Sequence, residues 1–215
     1  MATDTSSVDL VSGDVVSGLA RAALLAALTG VAAQVAIPYP LSPAPVTLQV
    51  LIVFLAGLYL GPVWGGVSML LYLVAGAAGA PVFAGATGGV GVLVDQTAGF
   101  LWSYPVAAAA IGLLVHRSSL PRRRGAEPTE AGTGSDAASA IEGVRDPATV
   151  PLPVVLVALT IGVTIIYAGG VAYAAWLLEL GLSEAVALFA APFVPAEVVK
   201  MAAAVAIVRS ELVAP

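Results

Sequence analysis

The chain contains a single lysine, Lys200, set in the apolar run Ala191-Pro192-Phe193-Val194-Pro195-Ala196-Glu197-Val198-Val199-Lys200-Met201. Every other fixed positive charge is an arginine. A charge at bilayer depth costs about 2.5–3.5 kcal/mol even on insertion scales, so it faces a partner, a cavity or a ligand. Glu197 lies three residues earlier, on the same helix face, and is the obvious partner. The pair has two readings: a structural ion pair joining helices, or the polar floor of a binding site.

Other chemistry-bearing residues narrow the choice. The one histidine, His116, stands beside Arg117 at the end of an apolar run, where it reads as an interfacial residue. No cysteine is present and no histidine pair has metal-ligand spacing, so neither metal-dependent nor serine–histidine hydrolysis at membrane depth is supported. No Gly-x-x-x-x-Gly-Lys-Ser/Thr loop occurs, so the chain has no ATP motor of its own and is not expected to be an enzyme. Binding remains. Thr47 and Gln49 offer hydroxyl and amide groups, Tyr39, Phe83 and Trp102 or Tyr104 offer aromatic walls, and Glu197 and Lys200 complete a mostly apolar pocket with a few fixed polar groups. Such a pocket suits a ligand with an apolar body, an amide-like head and an anionic tail.

Elements that could hold these residues follow from composition. Hydrophobic residues make up 60% of the 215 and charged residues 10%, and the mean hydropathy is +1.01. Soluble domains run near 45–50% apolar and about 25% charged, so this is an integral membrane protein. At about 20 residues per span the chain accommodates five to seven helices. The formal charge of −5 argues against a nucleic-acid partner. No cofactor is indicated.

Along the chain, residues 1–14 form a polar, acidic tail without the basic stretch that opens a secretory signal. Residues 15–116 carry the first four expected helices, at about 15–37, 48–60, 63–78 and 97–115. Small residues recur at Ala22, Ala26 and Gly30, and again at Ala23 and Ala27, a spacing that lets another helix approach closely. Between the first two helices, Pro38, Pro40, Pro43 and Pro45 exclude a helix and make an ordered, uncharged loop. Between the third and fourth, Gly79, Gly85, Gly88, Gly89 and Gly91 surround Pro81-Val82-Phe83. So apolar a loop at this depth must be buried in protein or line a cavity. Residues 117–150, arginine-rich among Ser, Gly, Pro and acids, read as a disordered cytoplasmic linker. Residues 151–215 carry a fifth helix, a short amphipathic piece and a sixth helix with Glu197 and Lys200. The arginines fall on one side if six helices alternate, which makes that side, and both termini, cytoplasmic. The proline loop, the glycine loop and the approach to Glu197 would then converge on the outer face.

The run Pro43-Ala44-Pro45-Val46-Thr47-Leu48-Gln49, then Leu55-Ala56-Gly57, Leu60-Gly61-Pro62, and Gly76-Ala77-Ala78-Gly79-Ala80-Pro81-Val82-Phe83-Ala84-Gly85 resembles the BioY family, the biotin-binding S components of energy-coupling factor (ECF) transporters. The similarity continues through Gly88-Gly89 and resumes at Pro192-Phe193-Val194-Pro195 with Lys200. It departs at Val94–Tyr104, where only Thr97, Gly99 and Leu101 hold, and at Glu197, where the family carries an aspartate. The resemblance implies an all-α membrane protein with six transmembrane helices in the ECF S-component fold. It also implies a multi-pass subunit of the cell membrane that captures biotin from outside. Thr47, Gln49, Phe83, Gly85, Gly88, Glu197 and Lys200 would bind the substrate. Ala22, Ala26 and Gly30 would dock on an ECF transmembrane coupling protein, which works with two ATPase subunits. The alternatives are an S component for another vitamin, and a structural membrane subunit in which Glu197–Lys200 serves assembly.

Overall fold

The computed structural model describes residues 13–116 and 144–210; the acidic tail to residue 12 and the linker from 117 to 143 lie outside the described residues. Helix α1 spans Gly13–Gln34 and α2 spans Gln49–Ala77. Helix α3 covers Ala98–His116, α4 Leu152–Leu177, α5 Leu182–Phe189 and α6 Val194–Arg209. Strands β1, Ala36–Ile37, and β2, Val46–Thr47, pair antiparallel and close the proline loop into a small ribbon. Short 3-10 turns cover Val90–Val94, Pro147–Thr149 and Ala191–Phe193.

Helix α2 is not a rod. Gly61 has φ 74° and ψ −172°, and Pro62 follows it. Glycine is the residue that takes positive φ without steric penalty, and proline has no N–H to continue the ladder. Here the chain reverses: a Cβ on Gly65 would lie 3.0 Å from the Ala56 carbonyl, a contact possible only if the two limbs run back on each other. Both limbs then pack on α3. A Cβ on Gly57 would meet the Ala108 carbonyl at 2.6 Å, and one on Gly112 would meet Pro62 N at 2.5 Å. Small residues at these points bring the backbones together, the usual device where no hydrophobic effect separates helix from lipid.

Helix α1 lies against α2 through one stripe, Gly18, Ala22, Ala26, Thr29 and Ala33, all buried. The Trp64 indole covers Gly18, and a Cβ on Gly30 would lie 3.1 Å from the Val82 side chain. The core gathers Phe54, Leu58, Met69 and Tyr72 from α2, Ile111 from α3, and Leu159 and Ile166 from α4. Large apolar residues on the outer faces, such as Leu24, Val63, Val106, Val157 and Val199, remain exposed. That inverted surface suits lipid.

Among the described residues five stretches are long and apolar enough to cross a membrane: α1, α2, α3, α4 and the run Leu182–Arg209. The chain is a multi-pass membrane protein. The sequence reading separated 48–60 from 63–78 at Gly61-Pro62, and within Gln49–Ala77 the structure leaves helical φ/ψ at Gly61, where the axis folds back. The final run matches its expectation, a short helix and a turn leading into the helix that holds Glu197 and Lys200.

The end of the bundle at Gly61 is tied by the residues after the linker. The Arg145 N–H donates to His116 Nδ1 at 3.0 Å, which leaves Nε2 as the protonated nitrogen, 3.0 Å from the Leu58 carbonyl. Arg209 donates to the carbonyls of Ala148 and Val150 at 2.8 and 2.6 Å. His116 is therefore a structural bridge at the helix end, with no part in the cavity at the other end.

Candidate functional site

At the end opposite Gly61, a cavity of about 640 Å³ opens between the β1–β2 ribbon, the glycine loop, the start of α3, the middle of α4 and the start of α6. Its size falls in the usual range for small-molecule sites, about 300–1,000 Å³. Thr47 belongs to the ribbon and Gln49 to the start of α2, so the fold must hold the ribbon and the facing glycine loop still.

One hydrogen-bond chain does this. Thr47 Oγ1 donates to Gln49 Oε1 at 2.8 Å, Gln49 Nε2 donates to the Tyr72 hydroxyl at 2.5 Å, and that hydroxyl donates to the Val82 carbonyl at 3.2 Å. It links the proline ribbon, both limbs of α2 and the glycine loop. Thr47 and Gln49 line the cavity, but these contacts also make them its scaffold. The loop is shaped by a Phe83–Thr87 bridge across Gly85 and Ala86, which have φ of 71° and 57°. The Phe83 ring turns inward over Gly76 and meets Tyr72 edge-on, with centroids 5.4 Å apart. Gln34, at the end of α1, donates to the carbonyls of Pro81 and Phe83 and anchors the loop from the other side.

Glu197 and Lys200 form the floor. Only 4% and 5% of their surfaces are exposed, and Lys200 Nζ stands 2.6 Å from Glu197 Oε1. The Tyr167 hydroxyl donates to the same oxygen at 2.9 Å. Glu197 Oε2 is buried with no hydrogen-bond partner among the described residues. Leaving a buried charged acceptor unpaired is costly, so this atom fits a donor that arrives from the cavity. Lys200 makes one hydrogen bond here and has donors to spare. The floor therefore presents an acceptor and a donor side by side.

Above it stands a relay of rings: Tyr39 to Phe193 at 6.0 Å, Phe193 to Tyr167 at 6.3 Å, and Tyr167 to Phe100 at 5.5 Å. Tyr104 completes the wall.

Of the residues named from sequence, Thr47, Gln49, Phe83, Gly85, Glu197 and Lys200 come together in the cavity lining. Gly88 does not; it packs on the Ala80 carbonyl, where any side chain would collide, and its role is to let the loop close. Trp102 points away, its indole N–H donating to the Leu93 carbonyl at 2.9 Å while the ring stays exposed. Ala22, Ala26 and Gly30 face into the molecule against α2 and the glycine loop, with Ala22 fully buried. Close approach is their use, and it occurs inside the chain. Tyr167, Phe100 and Phe193 were not among the site residues named from sequence. For Tyr167 the available signal was one of two phenols, with Tyr173, in an apolar, glycine-containing helix, too weak to single it out.

The chain is 42% identical over 99 residues to the biotin transporter BioY of Thermotoga maritima, an alignment covering 46% of this chain and 57% of that protein. The chain thus spans about half the length of that relative. It is 29% identical over 171 residues to the biotin transporter BioY of Rhizobium etli, covering 80% of this chain and 79% of that one. Among solved structures, the S-component for biotin from an ECF-type ABC transporter shares the fold with a TM-score of 0.69, at 21% identity and 93% coverage of both chains. The BioY family model matches residues 3–213, and with the motif-bearing loops at the cavity this places the chain in its family: it belongs to the BioY family.

Proposed function

We propose that the protein captures biotin from outside the cell and serves as the substrate-binding subunit of an ECF transporter. The observation that carries the reading is the floor of the cavity, an unpartnered Glu197 Oε2 beside the Lys200 ammonium. A cyclic urea presents the complement, an N–H donor next to a carbonyl acceptor. Glu197 Oε2 accepts from the ureido N–H and Lys200 donates to the ureido oxygen. Phe100, Tyr104, Tyr167 and Phe193 enclose the fused ring, and Thr47 and Gln49 hold the ribbon that closes over it. Phe83 and Gly85 shape the loop wall.

In the membrane, the two limbs of α2 count as separate crossings, which makes six with α1, α3, α4 and the α5–α6 run. Both termini and the segment between α3 and α4 then lie in the cytoplasm, with the polar tail before α1 and the last two crossings, α4 and the α5–α6 run, in 151–215. The cavity opens outward. Release inward requires a motor, supplied by an ECF transmembrane coupling protein with two ATPase subunits. The docking face on α1 is better assigned to Ala23 and Ala27, small residues left exposed, than to the buried Ala22, Ala26 and Gly30. An assembly ion pair is the weaker reading, because Glu197 and Lys200 line an open cavity and leave one carboxylate oxygen unused.

The test is binding of labelled biotin to the purified protein in detergent, wild type beside Lys200→Ala. Saturable binding by the first and its loss in a second that stays folded supports the reading. A folded wild type that binds no biotin overturns it.

A further inference from the structure

The charges around the cavity are sorted by depth. Glu197 and Lys200 lie buried at the floor, whereas Asp95, exposed, lines the same cavity at its mouth. Lys200 is the single lysine or arginine among the described lining residues, and its ammonium is already held by Glu197 at 2.6 Å. The lining therefore carries two carboxylates and one neutralised cation. Among the described residues no lysine or arginine stands at the mouth. Asp95 Oδ1 accepts from the Gln96 N–H at 2.7 Å, and its carbonyl accepts from the Ala98 N–H at 2.8 Å, so its place before α3 is fixed.

This arrangement acts on the part of the ligand that leaves the pocket. With the ureido head on Glu197 and Lys200, the acid tail of biotin extends toward Asp95. Two like charges at a mouth of this kind repel each other, weakly in high salt and more strongly in low.

We infer that the site selects biotin by its ring and disfavours a negative charge on its tail, so that its ligand class includes biotin amides, neutral or cationic, with Asp95 setting the order. The inference rests on the biotin reading of the cavity. An exposed charge pair is worth little, and the expected differences are about two- to fivefold in affinity between successive ligands.

The experiment is competition against tritium-labelled biotin on the purified full chain, using biotin, biotinamide and the aminoethyl amide of biotin. The cationic amide should compete best, the neutral amide next and the free acid least, with the spread shrinking as salt rises. In Asp95→Asn, whose amide oxygen still accepts from Gln96, the order should flatten and the free acid should gain about two- to fivefold. A free acid that outcompetes the neutral amide in the wild type overturns the inference, as does an order unchanged in Asp95→Asn. Either result leaves the biotin site standing. No binding of labelled biotin at all would overturn the biotin reading itself, and the ordering with it.

Discussion

Gln49 and Tyr72 sit 23 residues apart on the two limbs of α2, yet their side chains meet at 2.5 Å. At about 1.5 Å of rise per residue a straight helix would hold them more than 30 Å apart. The bond exists because the chain reverses at Gly61, and it in turn fixes the two loops that frame the cavity. A turn at one end of the bundle thus sets the geometry of a site at the other.

The reversal should be the most mutation-sensitive point of the fold. Gly112→Ala would place a methyl group 2.5 Å from Pro62 N, against backbone that cannot step aside. Overpacking of this kind costs about 1–3 kcal/mol or more. A clear drop in the melting temperature in detergent is expected, with biotin binding reduced in parallel. Gly91→Ala, where no atom lies within 4 Å and φ is unexceptional, is the control and should be silent. Equal stability of the two variants would show that the close approach is not needed.

Tyr72→Phe removes the hydroxyl between Gln49 and Val82 while keeping the ring on Phe83. A buried amide left without its acceptor costs about 1–3 kcal/mol. The glycine loop loses its tie to the ribbon, so biotin affinity should fall about tenfold, mainly through faster release. Unchanged dissociation measured by rapid filtration would separate this hydrogen-bond chain from the site.

Glu197 can be probed from two directions. Glu197→Gln leaves Lys200 buried without its counter-ion, and breaking a buried pair costs about 3–5 kcal/mol. That variant should express poorly and bind no biotin. Tyr167→Phe takes one donor from Glu197 Oε1 but spares the Lys200 contact. It should melt within about 1 kcal/mol of wild type and bind biotin about five- to tenfold more weakly. A Tyr167→Phe variant with wild-type affinity would mean that the phenol serves packing alone.

What the sequence made legible divides along physical lines. The paired loops were readable because proline and glycine restrict backbone in ways that do not depend on the rest of the chain, and the lone Lys200 was readable because a charge at that depth demands an explanation. Tyr167 was not readable, since a phenol in an apolar helix signals nothing until its partner Glu197, 30 residues away, is seen to touch it. Asp95 was equally silent: its meaning is its position at the mouth of a cavity whose described lining holds no cation but the paired Lys200. The stripe on α1 misled for a related reason. Ala22 and Ala26 share the four-residue spacing with Ala23 and Ala27, and spacing alone does not tell which stripe faces α2 and which faces out.

That difference between adjacent stripes yields the sharpest test of the proposed coupling partner. Ala22 is buried under Leu60 and Trp64, whereas Ala23 and Ala27, on the neighbouring stripe of α1, are exposed. A leucine at Ala22 must push α1 off α2, so Ala22→Leu should lower the melting temperature and weaken biotin binding by disturbing the glycine loop that Gln34 and Gly30 support. Ala27→Leu adds bulk where only lipid or a partner lies. Its binding of biotin and its stability should match wild type, but a small-residue contact with a partner helix would be lost. Uptake by cells that carry the coupling module should then fall sharply, and co-purification with that module should fall with it. An Ala27→Leu variant that transports normally would put the docking face elsewhere on the molecule, without touching the biotin site.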